Sequence, residues 1–198
     1  MPRSSKSTRE RILAAAYGLL YQEGFSRVSL DAIAAASGLT KKTLYYHFDS
    51  KDALVAAVLE SQRILALARV QGWAENVSND PFEMVENLFG RLADWASEPK
   101  WRGSGFTRIV MELADLPGHP ARAVAKQHKL SVEMWLADRL AEMRVAAPRD
   151  NARQIMLLIE GCLSLILIHR DTSYARSAAD AAKQLIASSL KTPRTRKR

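Results

Sequence analysis

Ser37-Gly-Leu-Thr-Lys-Lys-Thr-Leu-Tyr-Tyr-His-Phe-Asp-Ser-Lys51 is the stretch that decides how this chain is read. Gly38 can take the positive backbone angle that closes one helix. Thr40 can cap the next through its hydroxyl. In that next helix Leu44 and Phe48 are four apart and share the inner face. At about 100° per residue, Lys42 and Tyr46 fall opposite them, with Thr43 and Tyr45 beside. Lysine neutralises phosphate, threonine bonds phosphate or a base edge, and tyrosine offers a flat face and a hydroxyl. A short helix with that outer face suits a DNA groove.

Working outward, residues 1–6 read as a polar, basic arm. A first helix is predicted over residues 8–23. Ser7 with Glu10 makes its capping box, Ile12, Ala16, Leu19 and Leu20 make the inner stripe, and Gly24 ends it. Ser29 or Asp31 opens a second helix that carries Leu30, Ile33 and Ala34 inward as far as Gly38. Asp49 or Ser50 caps a long fourth helix reaching about Trp73. Three helices in the first fifty residues, the last two joined by a tight glycine turn, form a helix-turn-helix unit.

The rest of the chain is also helical in pattern, without the alternation or hairpin signals of strands. Asn79-Asp80-Pro81 restarts a helix with proline in its first turn. Further helices are predicted over 105–116, over 121–144 after the Pro117-Gly-His-Pro120 break, from Pro148 to Ile168, and from Ser173 to Leu190. The expected fold is therefore all-α. Residues 1–51 would be the DNA-binding domain and 52–190 a larger helical bundle for ligand binding and dimerisation. Residues 191–198 would be a basic tail without order.

Charge follows the same division. The 198 residues carry a net +8, but residues 1–51 hold +4 and the tail +5, while the remainder has 16 basic and 17 acidic side chains. A polyanion-binding end attached to an ordinary globular body fits that asymmetry. Arg3 and Lys6 could reach an adjacent minor groove as an N-terminal arm, and Arg194–Arg198 reads as a solubilising tail. The single cysteine, Cys162, excludes an intramolecular disulfide and a four-cysteine zinc site, and its apolar helical setting predicts a packed thiol. No N-terminal run resembles a signal peptide. Residues 155–168 include Glu160 and read as too short for a bilayer, which needs about 20 apolar residues. The cytoplasm is the expected compartment, with no membrane partner.

The last two helices predict a homodimer. From Ile155 to Ile168 apolar residues cover nearly the whole circumference, as in a helix buried on more than one side. Ala175, Ala178, Ala179 and Ala182 would let another helix approach closely. A four-helix interface, two helices from each subunit, satisfies both observations.

Three stretches of this N-terminal region resemble the TetR (tetracycline-repressor-like) transcriptional regulators: residues 9–24, 28–35 and 40–54. The signature elements are Ile12-Leu-Ala-Ala-Ala16, Glu23-Gly-Phe25, Leu30-Asp-Ala-Ile-Ala34, and Thr43-Leu-Tyr-Tyr-His-Phe48 followed by Lys51. The resemblance covers about a quarter of the chain. It implies a homodimer that binds a palindromic double-stranded operator, represses a nearby operon and releases DNA when a small-molecule effector binds. Carried over residue by residue, it implies base-facing or groove-facing roles for Lys41, Lys42, Thr43 and Tyr45. It implies phosphate contacts for Tyr46, His47 and Lys51, and a backbone contact for Ser29.

The effector pocket is expected among the large side chains of the middle region. Trp73, Phe89, Trp95, Phe106, Met111, Met134 and Trp135 are the candidates, and an aromatic lining favours a hydrophobic or planar molecule. No cofactor and no catalytic residue is expected. The alternatives are an activator, an effector-independent DNA-binding regulator, or a metal-dependent hydrolase built on Glu112, His119 and His128, with Asp115 near and His119 on a surface loop. No nucleophile–base pair supports the hydrolase.

Overall fold

The computed structural model describes residues 5–74 and 79–190. Among them are nine helices and no strand: α1 Ser5–Glu23, α2 Leu30–Ser37, α3 Lys41–His47, α4 Lys51–Trp73, α5 Pro81–Ala96, α6 Gly105–Glu112, α7 Pro120–Glu142, α8 Pro148–His169 and α9 Ser173–Leu190. Arg3 and the 191–198 tail lie outside the described residues. Lys6 and Ser7, expected as part of the arm and as the helix cap, both fall inside α1.

The chain divides into two compact units. One comprises Met1–Ala66 and Ser104–His128, the other Leu67–Gly103 and Lys129–Arg198.

In the first unit the caps do what local chemistry dictates. The Ser29 hydroxyl accepts from the Ala32 N–H at 3.1 Å and opens α2. At the other end Gly38 sits at φ 64°, its N–H donating to the Ala35 carbonyl, while the Leu39 N–H donates to the Ala34 carbonyl. That pair of bonds is a Schellman motif, and its left-handed residue favours glycine. Thr40 accepts from the Thr43 N–H at 3.2 Å and starts α3, and Ser50 accepts from the Ala53 N–H at 3.0 Å at the head of α4. Ile12, Ala16, Leu20, Ile33, Leu44, Leu54 and Val58 form the core, joined by Ile109 and Leu113.

Helix α6 stops at Glu112, four residues before the predicted end. The Arg122 guanidinium donates to the carbonyls of Leu113 and Ala114 at 3.1 and 3.0 Å. Those carbonyls are thereby held in a turn, satisfied from a side chain eight or nine residues on.

The second unit packs α5, α8 and α9 around Met84, Leu88, Phe89, Leu92, Ile155 and Ile186, with Leu136 and Leu140 of α7. Ala175, Ala178, Ala179 and Ala182 are buried there, and α9 packs closely on both α5 and α8. The close approach that small residues permit is thus used within the chain, which corrects the expectation that this face meets a second subunit. Helix α8 has 22 residues and is long and apolar enough to cross a membrane by length and composition. That corrects the reading of this region as too short. One face of it, including Ile155, Ile159, Cys162 and Ile166, lies in the core, and Glu160 pairs with Lys129. It is a core helix.

Candidate nucleic-acid interface

Helix α3 is anchored from behind and open in front. Leu44 is 2% exposed and Phe48 is buried, while Tyr46 is 80% exposed and Tyr45 is exposed beside it. Phe48 has left the helix, with φ −144°, yet its N–H still donates to the Leu44 carbonyl at 2.9 Å. The Arg9 guanidinium lies over its ring, 5.1 Å from the centroid, within cation–π range.

The predicted contact residues fall into two groups. Lys42, Tyr45 and Tyr46 are exposed, and Lys42 makes no ion pair among the described residues. Thr43 and His47 are half-buried on the flanks. The Thr43 hydroxyl lies 2.9 Å from that of Thr40, and the His47 ring stands edge-on to Tyr46 with centroids 5.2 Å apart. Ser29 is exposed, and its oxygen, already an acceptor in the cap, still has a proton to donate.

Lys41 and Lys51 are engaged with the protein itself. Lys41 Nζ pairs with Asp31 Oδ2 at 3.0 Å, and that hydrogen bond, with the attraction of the carboxylate, raises its pKa. Lys51 Nζ donates to the Phe25 carbonyl at 2.9 Å and lies 4.4 Å from the centre of the Phe25 ring. Burial lowers its pKa. Its ammonium secures the turn between α1 and α2 instead of standing with the α3 face.

The expected effector-site residues are divided between the two units. Trp73, Phe89, Trp95 and Trp135 belong to the core or core margin of the second unit. Trp73 packs on Trp95, and Trp95 stands edge-on to buried Trp101, with centroids 5.7 and 5.8 Å apart. Phe106 belongs to the first unit and stacks on His128 at 3.9 Å. Met111 and Met134 are 64% and 65% exposed, because each falls on the outer side of its helix. Within the first unit, a cavity between α1, α4 and α6 holds about 10 Å³, roughly the room of one water.

Sequence reasoning missed the buried, unpartnered Trp101 Nε1. It also read His119 as exposed, whereas this residue of the loop before α7 is buried. His119 Nδ1 accepts from the Ala121 N–H at 3.1 Å and Nε2 lies 3.3 Å from Asp52 Oδ1. Glu112 is bonded to Ser26. Among the described residues no group of three or more His, Cys, Asp or Glu is placed to hold a metal ion. The side chains of the hydrolase alternative are therefore spread over separate structural contacts.

Residues 12–58 match the family model described as bacterial regulatory proteins, tetR family. The chain is 26% identical over 182 residues to the HTH-type transcriptional regulator YjdC of Escherichia coli K12, covering 90% of this chain and 93% of that one. It is 36% identical over 88 residues to the regulator UidR of the same organism, 44% of each chain. A solved structure described as a putative TetR transcriptional regulator from Streptomyces avermitilis is also similar. It superposes with a TM-score of 0.77 and 29% identity, over 89% of this chain and 98% of the other. The family match lies on the very helices that present Lys42, Tyr45 and Tyr46, and the relatives spanning nearly the whole chain are described as transcriptional regulators. Residues 12–58 thus match the tetR family of bacterial regulatory proteins, and the chain is a DNA-binding transcriptional regulator similar over most of its length to such regulators.

Proposed function

We propose that this regulator is a cytoplasmic repressor that binds a palindromic operator as a homodimer and leaves it when a small hydrophobic or planar effector binds. The observation that carries the reading is the α3 face, with Lys42, Tyr45 and Tyr46 exposed over buried Leu44 and Phe48. Lys42, Thr43 and Tyr45 are assigned to the groove, and Tyr46, His47 and Ser29 to the backbone. Lys41 reaches DNA only after exchanging Asp31 for phosphate or base, and Lys51 contributes through the donors its Phe25 bond leaves over.

Dimerisation is assigned to the outer face of α8. Leu157, Leu165 and Ile168 are exposed, with Gly161 between them, at spacings that line one side of a helix. The effector is assigned to the second unit, where Trp73, Trp95 and Trp135 pack at the margin of the core that contains Phe89. An effector that prefers the form with misplaced reading helices lowers operator affinity by its differential affinity for the two forms.

Selection of bound fragments from random DNA at stated salt tests the reading. A palindrome with half-site centres about 10 bp or a multiple apart supports it. A single asymmetric site removes the homodimer, and failure to enrich any sequence removes the operator.

A further inference from the structure

The turn between α1 and α2 is held from a distant part of the first unit. Arg108 of α6 donates from Nη1 to the Tyr21 carbonyl at 2.7 Å, in the last turn of α1. Gly24 has φ 95°, and a Cβ there would lie 3.0 Å from Glu112 Oε1. The carboxylate of Glu112 thus rests against bare backbone. Its Oε2 accepts from both the N–H and the hydroxyl of Ser26, at 3.1 and 3.2 Å. Between these two residues Phe25 is held by Lys51 and lies edge-on to the buried His119 ring, with centroids 5.5 Å apart. Three residues beyond Ser26 stands Ser29, the cap of α2.

We propose that Glu112, aided by Arg108, is a positioning residue for operator binding. Its carboxylate fixes the α1–α2 turn and thereby the start of α2, from which Gly38 and α3 follow. A turn held in one arrangement need not be ordered when the reading face docks. The Glu112–Ser26 bonds are exposed, so they add little to the stability of the fold. Their consequence falls on where α2 begins. Any event that moves the end of α6 would then reach the reading helices through this carboxylate.

The test uses the full chain, an operator duplex selected by the unaltered protein, and a scrambled duplex at the same salt. Glu112→Ala is expected to weaken operator binding roughly fivefold to tenfold while leaving the scrambled duplex unaffected. Its thermal midpoint stays within about 2 °C of the unaltered protein. Glu112→Gln restores most of the affinity, because its amide oxygen can still accept from Ser26. Adding Ser26→Ala to Glu112→Ala costs nothing more, since the bonded pair is already broken. Unchanged operator affinity in Glu112→Ala overturns the proposal. So does a loss shared equally by both duplexes, or a Gln variant as weak as the Ala variant. Lys42→Ala is the control that separates a failure of the reading face from a failure of this support.

Discussion

Arg11 donates from Nη2 to the carbonyl of Ser37 at 2.7 Å, joining the first helix to the end of the second. The bond crosses 26 residues and falls one position before the left-handed Gly38. It holds the turn on which the reading helix hangs. Arg11→Ala should lower the stability of the protein by about 1.5 kcal/mol, the low end for a charged donor because the residue is half exposed. Urea unfolding followed by circular dichroism measures it. A midpoint equal to that of the unaltered chain would show that the contact carries no stability.

Lys42 and Lys41 are neighbours with different expected contributions. Lys42 makes no ion pair among the described residues, whereas Lys41 is paired with Asp31. Each phosphate neutralised changes the slope of log K against log salt by about 0.9. Lys42→Ala should therefore flatten that slope by nearly one. Lys41→Ala should flatten it less, because Lys41 gives up Asp31 in exchange. Equal slopes for the two variants in an anisotropy titration would refute the distinction.

Asn151 ties the head of α8 to the end of α9. Its Nδ2 lies 2.9 Å from the Ala146 carbonyl and 2.9 Å from the Ser189 hydroxyl, and the residue is buried. Asn151→Ala leaves those groups short of a partner, at a cost of roughly 1–3 kcal/mol. Asn151→Leu should be no better, since it restores volume without a donor. Recovery of full stability by leucine, measured by thermal unfolding, would contradict this account.

Cys162 is a buried thiol, and desolvation pushes its pKa from 9.0 up to about 11. The thiolate is the reactive form. At pH 8 the folded protein should react with iodoacetamide far more slowly than the same chain in guanidinium. Because the folded state holds this proton more tightly, its contribution to stability is complete below pH 9 and is lost as pH rises toward 11. Fast labelling of the folded protein would argue that the α8 core opens readily.

Leu157 and Ile168 are each 69% exposed on the outer face of α8. A glutamate at position 157 places charge where the proposed dimer buries an apolar side chain. Leu157→Glu should shift sedimentation from dimer to monomer without unfolding the second unit. A dimer of unchanged affinity would move the interface to another face.

What could be read from the chain alone was whatever depends on neighbours three or four residues away. Thr40, Ser29 and Ser50 cap helices as their positions implied, Gly38 closes α2, and Leu44 and Phe48 point inward. Pro81 and Pro148 open α5 and α8, and α9 has the predicted bounds. These effects are short hydrogen bonds and helical periodicity, so the sequence contains them directly. Tertiary contact decided the rest. Arg122 ends α6 early, Glu112 turns to Ser26, and Lys51 turns to Phe25. The α9 alanines are consumed by α5 and α8, and Met111 and Met134 face outward. Each of those outcomes depends on which distant groups arrive nearby: Ser26 and Glu112, 86 residues apart, become hydrogen-bonded only once the chain has folded.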